Sequence, residues 1–151
     1  MYPARFVAEA LRQARTGAGL TARQVAEQLE ARGVTVSRQH VSAWEHGVWA
    51  PAPSRLLAVA ALLDIAPMRF MLKNGEKPAL AELRVAHRGL TQGQLAAEID
   101  MPRSTYSLLE RGGTDLTPAV RIRLAAALQV DVDTIERGYR ESVRLWWKPR
   151  S

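Results

Sequence analysis

Apolar residues recur along this chain at the three- and four-residue spacing of helices that bury one face. Phe6, Ala10, Leu11 and Ala14 lie on one such stripe, whereas the strict alternation of apolar and polar positions that is typical of strands is absent. The pattern therefore predicts an all-α protein.

Part of the sequence occurs twice. GLTARQVA at residues 19–26 recurs as GLTQGQLA at residues 89–96, and SAWEHG at residues 42–47 recurs as SLLERG at residues 107–112. The distance between matching residues falls from 70 in the first pair to 65 in the second, so the first copy carries five extra residues around positions 30–36.

The repeat predicts two similar domains, residues 1–73 and residues 78–138, followed by a basic, Trp-containing tail, residues 139–151. LRQA at residues 11–14 aligns with LRVA at residues 83–86, which places the first helix of each copy.

Each copy is predicted to fold as five helices. The second helix begins with a capping box, in which two side chains bond to the free backbone N–H groups: Thr21 with Gln24, and Thr91 with Gln94. The third helix is bounded by residues that favour a helix start and a left-handed end: Ser37 and Gly47 in the first copy, Pro102 and Gly112 in the second. The fourth and fifth helices are predicted at residues 55–64 and 68–72, and at residues 119–129 and 132–137.

The second and third predicted helices have the features of a helix-turn-helix unit, whose second helix can enter a DNA major groove. Small residues, Ala26 and Ala96, lie where the two helices would approach each other. Apolar residues mark the inner face of the third helix, which we call the reading helix: Val41 and Trp44, or Tyr106 and Leu109. Its outer face carries Arg38, Gln39 and Ser42 in the first copy, and Arg103, Ser104 and Ser107 in the second.

The sequence resembles the Cro/lambda-repressor-like (XRE-type) helix-turn-helix family over most of its length. The second copy carries the resemblance in LTQGQLAAEI at residues 90–99, RSTYSLLERG at residues 103–112 and LAAALQV at residues 124–130, and the first copy has LTARQVA, SRQHVSAWEHG and LAVAALLDI. The resemblance implies a sequence-specific double-stranded DNA-binding transcriptional regulator of bacterial or phage type, which we expect to be a repressor. It also implies that the outer residues of the two reading helices contact base edges and that Gln92, where the first copy has Ala22, holds a phosphate.

The loops after the reading helices depart from the family's pattern, in which basic residues hold the DNA backbone. Neither VWAPAP at residues 48–53 nor GTDLTP at residues 113–118 contains a cation, and Asp115 would repel a phosphate. Arginines elsewhere could compensate: Arg12, Arg15 and Arg23 in the first copy, and Arg84, Arg88 and Arg111 in the second. Arg23 and Arg111, together with Gln92, are the candidate phosphate contacts.

Charge and composition limit the partners and the compartment. The chain has 21 Lys and Arg against 15 Asp and Glu, a net charge of +6, and 18 of the 21 cations are Arg. Arginine is the residue that grips phosphate and guanine, but a GC-rich genome would produce the same bias. With no apolar segment of about 20 residues and no secretion signal at the N-terminus, we expect a cytoplasmic protein that binds no membrane.

No pattern of residues predicts catalysis, a metal or a cofactor. Cysteine is absent, which excludes disulfides, a thiolate nucleophile and Cys-based zinc sites. His40 and His46 are six residues apart, which puts them on different faces of a helix, and no carboxylate pair completes a metal site. Neither a nucleophile elbow nor a phosphate-binding glycine loop is present.

The remaining tryptophans bear on partners. We expect Trp49 to pack within the protein, and we expect the adjacent Trp146 and Trp147, which one helix face cannot bury together, to pack the tail against a domain or another subunit. Three arrangements stay open. The two copies could read two unlike half-sites, as a monomer or within a homodimer; one copy and the tail could instead mediate dimerisation or bind a partner protein; or the chain could be a regulatory subunit that needs no DNA.

Overall fold

The structure is a computed structural model that describes residues 4–146. Within this range it is helical and contains no strand, which confirms the predicted all-α class. The chain divides into two compact units, one from Arg5 to Gly75 and one that begins at Glu76. No helix in the described range is long and apolar enough to cross a membrane.

Four α-helices and one 3-10 helix form the first unit. They are α1 Ala8–Gly17, α2 Ala22–Ala31, α3 Arg38–Glu45, α4 Pro53–Leu63 and the 3-10 helix Pro67–Phe70. Helix α3 packs against α1 and α2, and α2 packs against α4. The inner face of α3 is almost fully buried, with Val41 0% and Trp44 1% exposed. The predicted fifth helix of this copy, residues 68–72, forms only as the single 3-10 helix.

Helices α2 and α3 begin with capping boxes. The Thr21 amide donates to Gln24 Oε1 over 2.8 Å, and the Gln24 amide donates to Thr21 Oγ1 over 3.1 Å. At the start of α3, His40 takes the role of the capping glutamine: the Ser37 amide donates to His40 Nδ1 over 3.0 Å, and the His40 amide donates to Ser37 Oγ over 3.2 Å. His40 therefore helps to fix where the first reading helix begins.

In its described part, the second unit contains five α-helices. They are α5 Leu80–Arg88, α6 Gln92–Glu98, α7 Arg103–Glu110, α8 Pro118–Leu128 and α9 Val132–Trp146. Helices α5 and α8 both pack against α9, and α6 packs against the second reading helix α7.

The last helix is longer than the sequence pattern indicates. The predicted fifth helix ended at residue 137, before a separate tail, but α9 continues well beyond that point. Its second half is bonded to the rest of the unit: the Leu80 amide donates to Ser142 Oγ over 3.1 Å, and the Tyr139 hydroxyl donates to the Thr114 carbonyl oxygen over 2.8 Å. That part of the predicted tail therefore belongs to the second unit.

Two glycines allow α9 to approach its neighbours closely. At Gly138 an added Cβ would lie 2.6 Å from Leu83 Cδ1, and at Gly112, which follows α7 with a φ of +70°, it would lie 2.8 Å from the Cα of Val143. Trp146, at the end of α9, is half-buried. Trp147 lies outside the described residues, so the predicted packing of the tryptophan pair stays a prediction.

The close approach at Gly112 predicts a larger stability loss there than at the matching glycine of the first copy. Gly112→Ala combines left-handed backbone strain of roughly 1–2 kcal/mol with overpacking against the backbone of α9, which costs about 1–3 kcal/mol more. Gly47→Ala has the same φ of +70° but meets nothing within 4 Å, so it should show the backbone strain alone. Urea denaturation of the full chain measures both losses, and equal losses would contradict the packing of α9 at this point.

Candidate nucleic-acid interface

One ion pair ties the first reading helix to α1. Arg15 Nε lies 2.5 Å from Glu45 Oε2, and its Nη2 donates to Oε1 over 2.8 Å. A third donor, Arg15 Nη1, bonds to the Leu20 carbonyl oxygen over 2.9 Å. The arginine side chain is 17% exposed and the glutamate side chain 6%, so the end of α3 is fixed against α1 by a bidentate contact shielded from most solvent.

The same arrangement fixes the second reading helix to α5, with deeper burial. Arg84 Nε donates to Glu110 Oε1 over 2.6 Å, and its Nη2 donates to Oε2 over 3.3 Å. Arg84 Nη1 bonds to the Leu90 carbonyl oxygen over 2.7 Å. Here the side chains of the pair are only 5% and 0% exposed.

These pairs correct the alignment of the two first helices. Arg15 and Arg84 hold equivalent places, 69 residues apart, so the alignment of residues 11–14 with residues 83–86, 72 residues apart, is wrong. The reason is one extra residue between the arginine and the following leucine in the second copy. The expectation that these two arginines line a DNA surface is also wrong, because the N–H groups of each guanidinium bond to a glutamate and a leucine carbonyl oxygen of the same unit.

Arg88 is likewise used within its own unit. Its Nη2 donates to Glu98 Oε1 over 2.9 Å, and its Nη1 donates to the Ala127 carbonyl oxygen over 2.5 Å. The arginine therefore links α5 to α6 and to the end of α8, and it is not the DNA-flanking residue that the sequence suggested.

Two further donors surround the buried carboxylate in the second unit. The Tyr106 hydroxyl donates to Glu110 Oε1 over 2.7 Å, and Gln92 Nε2 donates to Oε2 over 2.8 Å. Burial, together with the negative charge of Glu110, raises the pKa of Tyr106 well above its ordinary value of 10.0, so the phenol stays protonated and donates. In the first unit the equivalent positions are Val41 and Ala22, which have no side-chain donor.

Gln92, predicted as a phosphate contact, is thus part of this interior network. It is 8% exposed, and its amide bonds to Glu110 rather than projecting from the start of α6. Sequence reasoning did not find the network. The available signal was the pair of glutamates at equivalent positions, Glu45 and Glu110, combined with an arginine in each first helix.

The residues predicted to read bases lie at the surface of the two reading helices. Arg38 and Gln39 open α3, Arg103 and Ser104 open α7, and all four are exposed, whereas Ser42 and Ser107 are half-buried. Within residues 4–146, neither Arg38 nor Arg103 forms a hydrogen bond or an ion pair with the protein.

The other candidates lie around these faces. Arg23 is 78% exposed and makes only an exposed pair with Glu27, 3.4 Å from Nε to Oε1; such pairs are typically worth about 1 kcal/mol or less. Arg111 caps the C-terminal end of α7 and is half-buried. In the loop after α3, Trp49 is 56% exposed and Val48 63% exposed, so the expectation that Trp49 packs within the protein is wrong.

A model of the helix-turn-helix family matches the chain twice, over residues 11–70 and over residues 80–141. The chain belongs to this family in its XRE-type form, present as two tandem copies, and it is therefore a DNA-binding regulator rather than a member of an enzyme family. No curated protein and no solved structure matches it closely.

The buried pairs predict unequal effects of the same substitution in the two copies. Glu110→Gln should destabilise the second unit by about 3–5 kcal/mol, because Arg84 would keep a buried charge without its carboxylate. Glu45→Gln should cost less, because Arg15 is more exposed than Arg84 and water screens its charge. Amide hydrogen exchange measures the two units separately, and an equal or greater loss for Glu45→Gln would contradict this assignment.

Proposed function

From its membership of the XRE-type family, we propose that the chain is a sequence-specific regulator of transcription that reads the major groove with two non-identical helices, α3 and α7. We further propose that it is a repressor of bacterial or phage type and acts in the cytoplasm. A protein that covers DNA with two reading helices would obstruct access to the site, which favours repression over activation.

One observation carries the proposal: each reading helix begins with an exposed arginine that forms no hydrogen bond or ion pair with the described residues, 4–146. Arg38 and Arg103 differ in this from Arg15 and Arg84, whose guanidinium groups form ion pairs with buried carboxylates. DNA binding would therefore break no internal bond of the outer arginines. An arginine that donates to both O6 and N7 of guanine contributes about 1–3 kcal/mol of discrimination against the wrong base.

The two outer faces favour unlike half-sites. In the first copy Arg38 is followed by Gln39, whose amide suits adenine, whereas in the second copy Arg103 is followed by Ser104, which can bond to several bases. Ser42 and Ser107 complete the two faces. The target should therefore lack palindromic symmetry, and a single chain can supply both reading helices without a homodimer.

Phosphate contacts in this proposal come from the arginines beside the reading helices. Arg23 is exposed at the start of α2, and Arg111 lies at the end of α7. Gln92 is not among these phosphate contacts, because its side-chain amide donates to Glu110 in the interior of the second unit. Each phosphate that the protein neutralises should steepen the dependence of affinity on salt, with a slope of about −0.9 per contact.

A second candidate function rests on the exposed Val48 and Trp49. An uncharged, apolar loop beside α3 suits a protein surface better than a phosphate backbone, so the first copy could bind a partner protein while the second binds DNA. In that case Arg38→Ala would leave DNA binding unchanged, and only Arg103→Ala would weaken it.

The test is the binding of fluorescent duplexes, selected from a random pool by the wild-type chain, over a series of salt concentrations. Arg38→Ala and Arg103→Ala should each reduce discrimination at one base pair by about 5- to 150-fold. Arg32→Ala and Arg140→Ala are charge-matched controls at exposed positions outside the reading helices, and they should weaken all sequences slightly and alike. The proposal fails if no duplex is enriched, or if the reading-helix variants behave as the controls do.

A further inference from the structure

The cap that opens the first reading helix depends on which ring nitrogen of His40 carries the proton. The Ser37 amide nitrogen lies 3.0 Å from His40 Nδ1. A backbone N–H can only donate, so Nδ1 must accept and carries no proton while this bond exists. The neutral ring therefore has its proton on Nε2. The second capping bond runs the other way, from the His40 amide to Ser37 Oγ over 3.2 Å.

These two bonds enclose the residues proposed to open the base-reading face. Arg38 and Gln39 lie between Ser37 and His40, in the first turn of α3, and the terminal turns of a helix are the parts that fray. The capping box holds the backbone of this turn. It therefore also fixes the points from which the two outer side chains project.

A second proton on the ring would remove one of the two bonds. Nδ1 would then carry a hydrogen and could no longer accept from the Ser37 amide. It could donate to Ser37 Oγ, which lies 2.9 Å away, but the amide of Ser37 would still lose its acceptor. An imidazolium would also place a positive charge at the N-terminal end of α3, where the helix dipole disfavours cations. Histidine side chains gain this proton between about pH 8 and pH 5.

No carboxylate pairs with His40 in the part of the chain that the structure describes. Helix α3 packs against α1 and α2, and no charged side chain of either helix forms an ion pair with the ring. These side chains are Glu9, Arg12 and Arg15 on α1, and Arg23, Glu27 and Glu30 on α2. On α3 itself the ring contacts Trp44, with 6.4 Å between centroids, and Arg38 in the same turn would share the positive sign of a protonated His40.

The second copy has no counterpart of this cap. Pro102 and Thr105 stand where the first copy has Ser37 and His40. Proline has no backbone N–H that needs an acceptor, and α7 begins without a side-chain cap. The start of the second reading helix therefore contains no bond that a histidine proton would break.

We infer that His40 is a positioning residue that makes the first reading helix sensitive to pH: α3 discriminates fully between bases only while His40 is neutral, and α7 discriminates alike over the same range. This inference rests on the proposed function. His40 acts through Arg38 and Gln39, and it needs no contact of its own with DNA.

Base discrimination at a higher and a lower pH, about pH 8 and pH 5, tests the inference. For each reading helix it is the ratio of the affinities for two duplexes, one selected and one changed at the base pair identified with Arg38→Ala or Arg103→Ala. At the lower pH, discrimination that depends on Arg38 should fall by about 2- to 30-fold, the equivalent of one lost helix cap. Discrimination that depends on Arg103 should stay within about twofold. The positive charge that histidines gain strengthens binding to all duplexes, and this effect cancels in the ratio.

His40→Gln is the decisive variant, because glutamine can accept the Ser37 amide at either pH, as Gln24 accepts an amide at the start of α2. It should discriminate as the wild type does at the higher pH and lose the dependence on pH. His46→Gln is the matched control. His46 Nδ1 lies 2.7 Å from the Ser42 carbonyl oxygen, which can only accept, so the proton that His46 gains goes to Nε2 and breaks no bond. This variant should remain as sensitive to pH as the wild type.

NMR of the full chain, labelled with ¹⁵N on histidine, measures the tautomer without DNA. A ring nitrogen that carries a proton and one that does not resonate far apart. At the higher pH we expect His40 to carry its proton on Nε2 alone, with its signals assigned by their absence in His40→Gln. A proton on Nδ1 of His40 under these conditions would overturn the inference.

The outcomes separate this inference from the proposed function. If the wild-type chain shows no discrimination that depends on Arg38 at the higher pH, the proposed function of α3 fails, and the inference with it. If that discrimination exists but changes by less than about twofold at the lower pH, or falls equally in His40→Gln, only the role of His40 is refuted. An equal fall in the discrimination that depends on Arg103 refutes it as well. Amide spectra that match the wild type outside α3 exclude misfolding of the variants.

Discussion

A buried arginine–glutamate pair in each copy is the interaction on which the arrangement of the reading helices depends. The pair joins the first helix to the end of the reading helix, and the same guanidinium holds the carbonyl oxygen of Leu20 or Leu90 at the turn before the next helix. A buried charge is tolerated only with its partner in good geometry. The planar, bidentate contact therefore specifies the direction of the reading helix as well as its position, and it leaves the opposite face of that helix free to contact DNA.

The two copies use this shared pair with different surroundings. In the second unit Glu110 also accepts from Tyr106 and Gln92, whereas Glu45 in the first unit has Arg15 alone among these donors. Fully satisfied polar networks restrict a core to one arrangement. The second reading helix is thus held by more bonds inside and presents a single arginine outside, while the first is held more simply and is flanked by a second cation.

The sequence allowed most of the fold to be predicted, because its signals are local. Capping residues such as Thr21 and Ser37 act within one turn, and so the starts of α2 and α3 were predicted correctly. The sequence pattern did not predict the full length of α9, because glycine is unfavourable inside a helix and Gly138 therefore suggested a helix end. The structure shows that Gly138 lets α9 pack closely against Leu83 of α5. The sequence could not distinguish the inner arginines, Arg15 and Arg84, from the outer ones, Arg38 and Arg103. An arginine is buried only where the fold brings a carboxylate to it, and in these two pairs the carboxylate is 30 or 26 residues away along the chain.

The most direct test of the central claim is an NMR titration of the full chain, labelled with ¹⁵N on arginine, with a selected DNA duplex. Each arginine Nε–H gives a separate signal, and four of them matter. We predict that the signals of Arg38 and Arg103 shift as duplex is added, while those of Arg15 and Arg84, bonded to their glutamates, stay in place. Movement of the inner pair with no change in the outer pair would contradict the account.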